Sequence, residues 1–338
     1  MMVENVKRFS SFVLFASAAV FAVGCTYKTD IPIEFPTPPP EPSATPIAKL
    51  ELKPDVELEA QFAKIAEATK GKVGVMAVVL ETGESASLNA DQHFPMQSVY
   101  KLPIAMAVMD QVRRGNLGLD EKVGVTKDDF VREGQRSPLR DNSPNGGEFT
   151  IRELIRLALV ESDGTASDVL LRLVPPADVQ TYLTQIGVRD MKVVNTEKEI
   201  GRDWQTQYEN WATPAASVDL LMWLQKSLPG ELRTAREEGV SSSTKPIPIL
   251  VEDMFNSVPG GKRIKGRLGD RVFVAHKTGT GGTQTGITSA TNDIGVIMPF
   301  GTETYAIAVY VSDSPADEKT REAVIAKIAK AAFDRWSK

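Results

Sequence analysis

A single cysteine, Cys25, stands in 338 residues, so no intramolecular disulfide can form. Histidine is nearly as scarce. His93 and His276 lie far apart, with no HxxxH or CxxC spacing near either. The chain thus lacks the ligand pattern of a zinc hydrolase and implies no metal. It also lacks a basic surplus: Lys and Arg total 39 against 44 Asp and Glu, a net charge of -5. That balance gives no electrostatic pull on nucleic acid and implies no such partner. No internal repeat is visible. The apolar stretch Phe12–Val23 is too short to span a bilayer comfortably. What remains is a globular composition, 42% hydrophobic and 25% charged, with length for one large domain or two small ones.

The N-terminal end of the chain is unlike the rest. Lys7 and Arg8 precede Phe12–Val23, the pattern of an export signal, which closes on Ala22-Val23-Gly24-Cys25. Small residues before a cysteine resemble the lipobox of bacterial lipoproteins. Residues 1–25 therefore read as a lipoprotein signal with Cys25 as the lipidated residue. Residues 26–54 carry Pro36, Pro38, Pro39, Pro40, Pro42 and Pro46, and read as an extended tether that cannot build a core. An exported protein, periplasmic and held to a membrane by its lipid, is the expectation.

From Asp55 the periodicity changes. Helical spacing covers Val56–Thr69, β-branched and apolar residues fill Lys72–Leu80, and Glu81-Thr82-Gly83-Glu84 turns the chain into Ser85–Leu88. Helical patterns follow at Tyr100–Arg114, Ile151–Val160, Ala166–Leu173 and Val218–Ser227, the last announced by Thr213-Pro214. Strands return at Val272–Lys277, Ala290–Met298 and Tyr305–Val311, before a helix over Ala316–Trp336. Arg236–Pro246 reads as an exposed loop. The fold class is α/β (α+β): an antiparallel sheet built from both ends with the terminal helices packed on it, plus an all-helical lobe. Residues 55–92 and 266–338 would form the first lobe and 93–265 the second.

Three short motifs could carry chemistry. In Ser98-Val99-Tyr100-Lys101 the serine and lysine are three apart at the start of an apolar helix, so they share a face. Pro103 is tolerable only in a first turn, which fits a helix starting near Ser98. Serine needs a base to become a nucleophile, and a lysine in a buried cationic neighbourhood can supply one. Ser162-Asp163-Gly164 lies between two helical segments, and alone it reads equally well as a capped junction. Lys277-Thr278-Gly279-Thr280 ends a buried strand, where a lysine and hydroxyls can bind a carboxylate and Gly279 admits a ligand to the backbone. Ser242-Ser243-Thr244-Lys245 repeats the first spacing in a polar loop before Pro246, where nothing would hold the pair together.

The ordered set of SxxK, SDx and KTG resembles class A serine β-lactamases and penicillin-binding proteins. Within class A the PER-like branch is the nearest likeness, through Phe94–Ala105, Ser137–Gly147, Gln207–Trp211, Val274–Thr280 and Ala290–Gly295. The resemblance covers Asp55–Lys338. It implies a β-lactamase/transpeptidase-like fold and hydrolysis of penicillins and cephalosporins, hence antibiotic resistance. It implies no cofactor, a small-molecule β-lactam as partner, and a monomer. It makes Ser98 the nucleophile, Lys101 its partner in proton transfer, and Ser162 the relay to the lactam nitrogen. Lys277, Thr278, Gly279 and Thr280 would bind the substrate, with the N–H groups of Ser98 and Thr280 forming the oxyanion hole. Arg263, fourteen positions before Lys277, falls where that branch keeps a supporting arginine.

The resemblance assigns the water-activating carboxylate of class A to Glu197 in Asn195-Thr196-Glu197-Lys198-Glu199-Ile200-Gly201, with Glu199 a solvated charge. Penicillin-binding proteins lack that glutamate and stay acylated, so it argues against the two rival readings, a DD-peptidase or transpeptidase and a non-catalytic β-lactam sensor. Three positions depart from the family pattern: Gly164 and Gly201 replace the usual asparagines, and Asn195 replaces an arginine. Asn at 164 is expected to restore an amide contact to the substrate side chain, altering substrate preference while keeping activity.

Overall fold

Alternation along two strands explains the layering. In the computed structural model, which describes residues 50–226, 246–269, 272–299 and 303–337, Val73, Val75, Ala77 and Val79 face one side of a sheet. Met76 and Val78 face the other. The strand Tyr305–Ser314 behaves alike, with Tyr305, Ile307, Val309 and Val311 on the first side and Ala306, Ala308 and Tyr310 on the second. Both faces are apolar, so both must be covered. The helices Val56–Ala66 and Glu318–Trp336 cover the first through Leu58, Phe62, Val324, Ile325 and Ile328. The helical part of the chain covers the second.

The sheet's main strands run antiparallel in the order Glu84–Leu88, Lys72–Val79, Tyr305–Ser314, Ile287–Pro299, Val272–Thr280. Strands from both ends of the chain therefore meet in one sheet, as the patterning implied. The short strand Lys53–Pro54 extends one edge in parallel. All described residues belong to the unit Pro42–Lys338. Cys25, most of the tether, the second SxxK spacing and the expected Arg236–Pro246 loop lie outside them, except that Pro246 opens the helix Pro246–Phe255.

At the centre of the helical part is Lys101–Arg113, whose residues Lys101 to Asp110 are all buried. A helix apolar on every side must be enclosed. Ile151–Val160, Gly164–Leu173, Pro176–Gln185 and Pro246–Phe255 pack around it. Caps set the boundaries. Thr150 and Glu153 form a capping box, and Asp317 accepts from Thr320 N at 2.7 Å, starting the last helix at Glu318 rather than Ala316.

Two features bear on the site. The strand expected to end at Lys277 continues through Thr280, because every residue from Lys277 to Thr280 finds a partner between Ile294 and Thr291. Ser98 lies in a 3-10 turn, Gln97–Tyr100, that leads into the Lys101–Arg113 helix and places Pro103 in its first turn.

Candidate active site

Three backbone segments meet where the sheet edge touches the helical part. Gln97 and Ser162 both take left-handed conformations, with φ of 49° and 57°. Such strain at residues with side chains persists only when surrounding structure holds it. After the first comes Ser98. The second aims Ser162, because Asp163 is fully buried and caps the next helix, accepting from Ala166 N at 2.9 Å and Leu139 N at 2.6 Å. The capped-junction reading of this motif thus holds for Asp163, while the serine beside it points into the pocket.

Two buried lysines organise the centre. Lys101 Nζ donates to Ser98 Oγ at 3.0 Å and to Ser162 O at 3.0 Å, and stands 3.1 Å from Glu197 Oε2. Lys277 Nζ donates to Ser162 Oγ at 3.0 Å. Burial, with the charge of Lys101 next, holds the Lys277 ammonium well below the usual lysine range. The pocket they serve encloses about 350 Å³ and is lined by Ser98, Ser162, Glu197, Thr278 and Thr280 among others. A larger, more open groove of about 610 Å³ beside the C-terminal helix contains none of these groups.

Glu197 is fixed from several directions. Thr196 and Glu199 form a capping box around the one-turn helix Glu197–Ile200, which turns Glu199 away and leaves Glu197 facing Lys101. Its carboxylate accepts from Tyr100 OH at 3.0 Å. Asp168 accepts from the N–H groups of Glu197 at 2.6 Å and Lys198 at 3.0 Å. Burial pushes the Asp168 carboxyl up to about 7 although those two N–H groups pull it down. Gln135 Nε2 donates to Glu197 O.

The three departures now have physical accounts. A β-carbon at Gly164 would lie 2.8 Å from Glu197 Cγ and 3.2 Å from Arg136 O, so an asparagine there would displace Glu197. A β-carbon at Gly201 would lie 2.6 Å from Gln135 Nε2, so the glutamine fills the space left at 201. Asn195 Nδ2 donates to Glu209 Oε2 at 2.8 Å, while Asn210 Oδ1 accepts from Val194 N and Asn195 N. These amides hold the loop without an arginine.

Arg263 is buried under the strand that carries Lys277. It donates to Gly279 O at 3.1 Å, Asn292 O at 2.9 Å and Thr280 Oγ1 at 2.8 Å, and pairs with Glu322 at 3.3 Å. All nine sequence-identified side chains and backbones thus fall in one region. Sequence reasoning missed Tyr100, Gln135 and Asp168. Tyr100 sits inside the SxxK motif, and the Thr196-x-x-Glu199 spacing already signals the cap that orients Glu197. Nothing local marks Asp168 or Gln135, because their partner lies far along the chain.

The beta-lactamase enzyme family matches residues 57–336. Beta-lactamase VEB-1 of Pseudomonas aeruginosa is 34% identical over 280 residues, 82% of this chain and 90% of its own. Extended-spectrum beta-lactamase PER-1 of the same organism is 33% identical over 280 residues, 82% of this chain and 86% of its own. The solved structure of TLA-3 extended-spectrum beta-lactamase is 36% identical with a TM-score of 0.76, covering 84% of this chain and 99% of that one. A beta-lactamase from Chitinophaga pinensis is 35% identical with a TM-score of 0.75, covering 82% and 99%. The chain belongs to the β-lactamase enzyme family and, within it, to the PER-like branch of class A.

Proposed function

We propose that the protein hydrolyses penicillins and cephalosporins in two steps, acylation of Ser98 and release of the acyl group by a water that Glu197 activates. The observation that carries this reading is Lys101 Nζ, 3.0 Å from Ser98 Oγ and 3.1 Å from Glu197 Oε2. In acylation, Ser98 Oγ attacks the lactam carbonyl as its proton leaves toward Lys101 and Glu197. The ring C–N bond then breaks: Ser162 passes its proton to the lactam nitrogen and is reprotonated from Lys277, and the proton taken from Ser98 returns through Lys101 to replace it, which leaves Glu197 a carboxylate for the next step. In deacylation, Glu197 takes a proton from water as the oxygen attacks the ester, and Ser98 recovers its hydrogen. Lys277, Thr278 and Thr280 bind the substrate carboxylate, Gly279 admits it to the backbone, and Arg263 supports Thr280. The N–H groups of Ser98 and Thr280 stabilise the oxyanion.

The PER-like resemblance extends the reading to broad cephalosporin hydrolysis. We further assign 55–92 with 266–338 to an α/β lobe and 93–265 to a helical lobe. One chain supplies every side chain named, which supports action as a monomer. Residues 1–25 are assigned to an export signal ending at lipidated Cys25, and 26–54 to a tether. Among the described residues no helix is long and apolar enough to cross a membrane. The lipobox-like Ala22-Val23-Gly24-Cys25 after an export signal supports assigning the anchor to the lipid and the site to the periplasm. With a chromogenic cephalosporin in excess, the protein should complete many turnovers and the Ser98→Ala variant none. A single stoichiometric release by the parent protein would overturn the reading.

A further inference from the structure

Asn292 is fully buried in a strand of mostly apolar residues, and no step above uses its side chain. Its Nδ2 donates to two main-chain carbonyls, Pro95 O at 2.7 Å and Met96 O at 3.2 Å. Those carbonyls immediately precede Gln97, with its φ of 49°, and Ser98. Holding a left-handed residue that is not glycine takes fixed partners. Asn210 O accepts from Met96 N at 2.9 Å, and Gln97 Nε2 donates to Gln207 Oε1 at 3.0 Å. Asn292 differs from these because it also belongs to the other half of the site.

It is the ladder partner of Gly279, and its main-chain oxygen accepts from Arg263 at 2.9 Å. Gly279 packs so tightly on the turn that a β-carbon there would lie 2.2 Å from Met96 O. The Asn292 Oδ1 atom, by contrast, is buried with no hydrogen-bond partner. An unpaired buried acceptor is costly, so the amide is kept for its two donors.

We infer that Asn292 is a positioning residue: its amide clamps the Pro95 and Met96 carbonyls to the Ile287–Pro299 strand, and through that strand's ladder to Val272–Thr280 it sets the spacing of the Ser98 and Thr280 N–H groups around one oxyanion. The inference rests on the roles proposed above for Ser98 and Thr280.

Two variants test it. Asn292→Leu keeps the volume without the donors, and Asn292→Ala deletes the amide. Acylation is timed by rapid quench and intact-mass analysis. Non-covalent affinity for the same cephalosporin is measured with Ser98→Ala added to each variant. Acylation should slow by about 10²-fold, the cost of a misplacement near 1 Å, while affinity is unchanged because the carboxylate ligands remain. Parent-like acylation in either folded variant overturns the inference. So does an affinity loss as large as the rate loss, or failure of both variants to fold, since each makes the amide merely structural. Covalent uptake by Ser98→Ala alone would instead sink the reading of the site, whatever Asn292 does.

Discussion

Gly164 offers a quantitative test of how closely the site is packed. Its φ is not in the left-handed region, so the glycine is there for space. An added β-carbon would meet Glu197 Cγ at 2.8 Å, Val131 Cγ1 at 3.1 Å and Arg136 O at 3.2 Å. The helix start cannot easily retreat, because Gly164 N donates to that same Arg136 O at 2.9 Å. Glu197 is then the group that must move. Overpacking of this kind costs about 1–3 kcal/mol of stability. Displacing a catalytic group by about 1 Å costs on the order of 10²-fold in rate. Acylation relies on Lys101 beside Ser98 and should suffer less than deacylation. Gly164→Ala should therefore lower kcat and KM together, with the acyl-enzyme visible by intact mass during turnover. Gly164→Asn should do the same, contrary to the sequence-based expectation that it would keep activity. A Gly164→Ala protein with parental kcat, no accumulated acyl-enzyme and an unchanged Tm would refute the steric reasoning.

Three further outcomes are expected. Arg263→Ala removes donors to Gly279 O, Asn292 O and Thr280 Oγ1 and should lower kcat/KM by roughly 1.5–3 kcal/mol; parental steady-state kinetics would make the arginine a bystander. Asp168, raised from 3.8 to about 7, holds its proton more tightly folded than unfolded. Stability from this group is thus fully present below about pH 4 and lost as pH rises through about 7, by on the order of 4 kcal/mol at most. In denaturant titrations Asp168→Asn should gain on the parent over that window, and a pH-independent difference would contradict the assignment. Cys25→Ala should move the protein from the membrane fraction to the soluble exported fraction, and a parent protein already soluble after export would rule out the anchor.

The fold was legible wherever one period dominated. Lys72–Val79 and Tyr305–Ser314 alternate between two buried faces, and Lys101–Arg113 is apolar all round, so their types followed from pattern alone. Boundaries drifted where partners decide them, as when the ladder to Ile287–Pro299 carried its neighbour three residues past Lys277. Helices rich in proline at their start, Pro176–Gln185 and Pro246–Phe255, escaped notice because proline punctuates a pattern even where it is tolerated. In the site, motif residues close in sequence were readable. Residues acting across long separations were not: Asp168 on Glu197 N, Gln135 on Glu197 O and Asn292 on Met96 O need the fold to bring them together. Gly164 and Gly201 looked like deficits by comparison with the family and are complementary to Glu197 and Gln135 in three dimensions.

If Glu197 frees Ser98 from its acyl group, Glu197→Gln must stall the protein after acylation. Glutamine keeps the shape and the capped one-turn helix but is no base at neutral pH. Intact-mass analysis after mixing with a cephalosporin should show one added β-lactam that persists on the variant and none on Ser98→Ala. Turnover should fall by about 10²–10⁴-fold, the usual contribution of a general base. A Glu197→Gln protein that hydrolyses at the parental rate would contradict the account, as would a parent protein that itself remains acylated for hours.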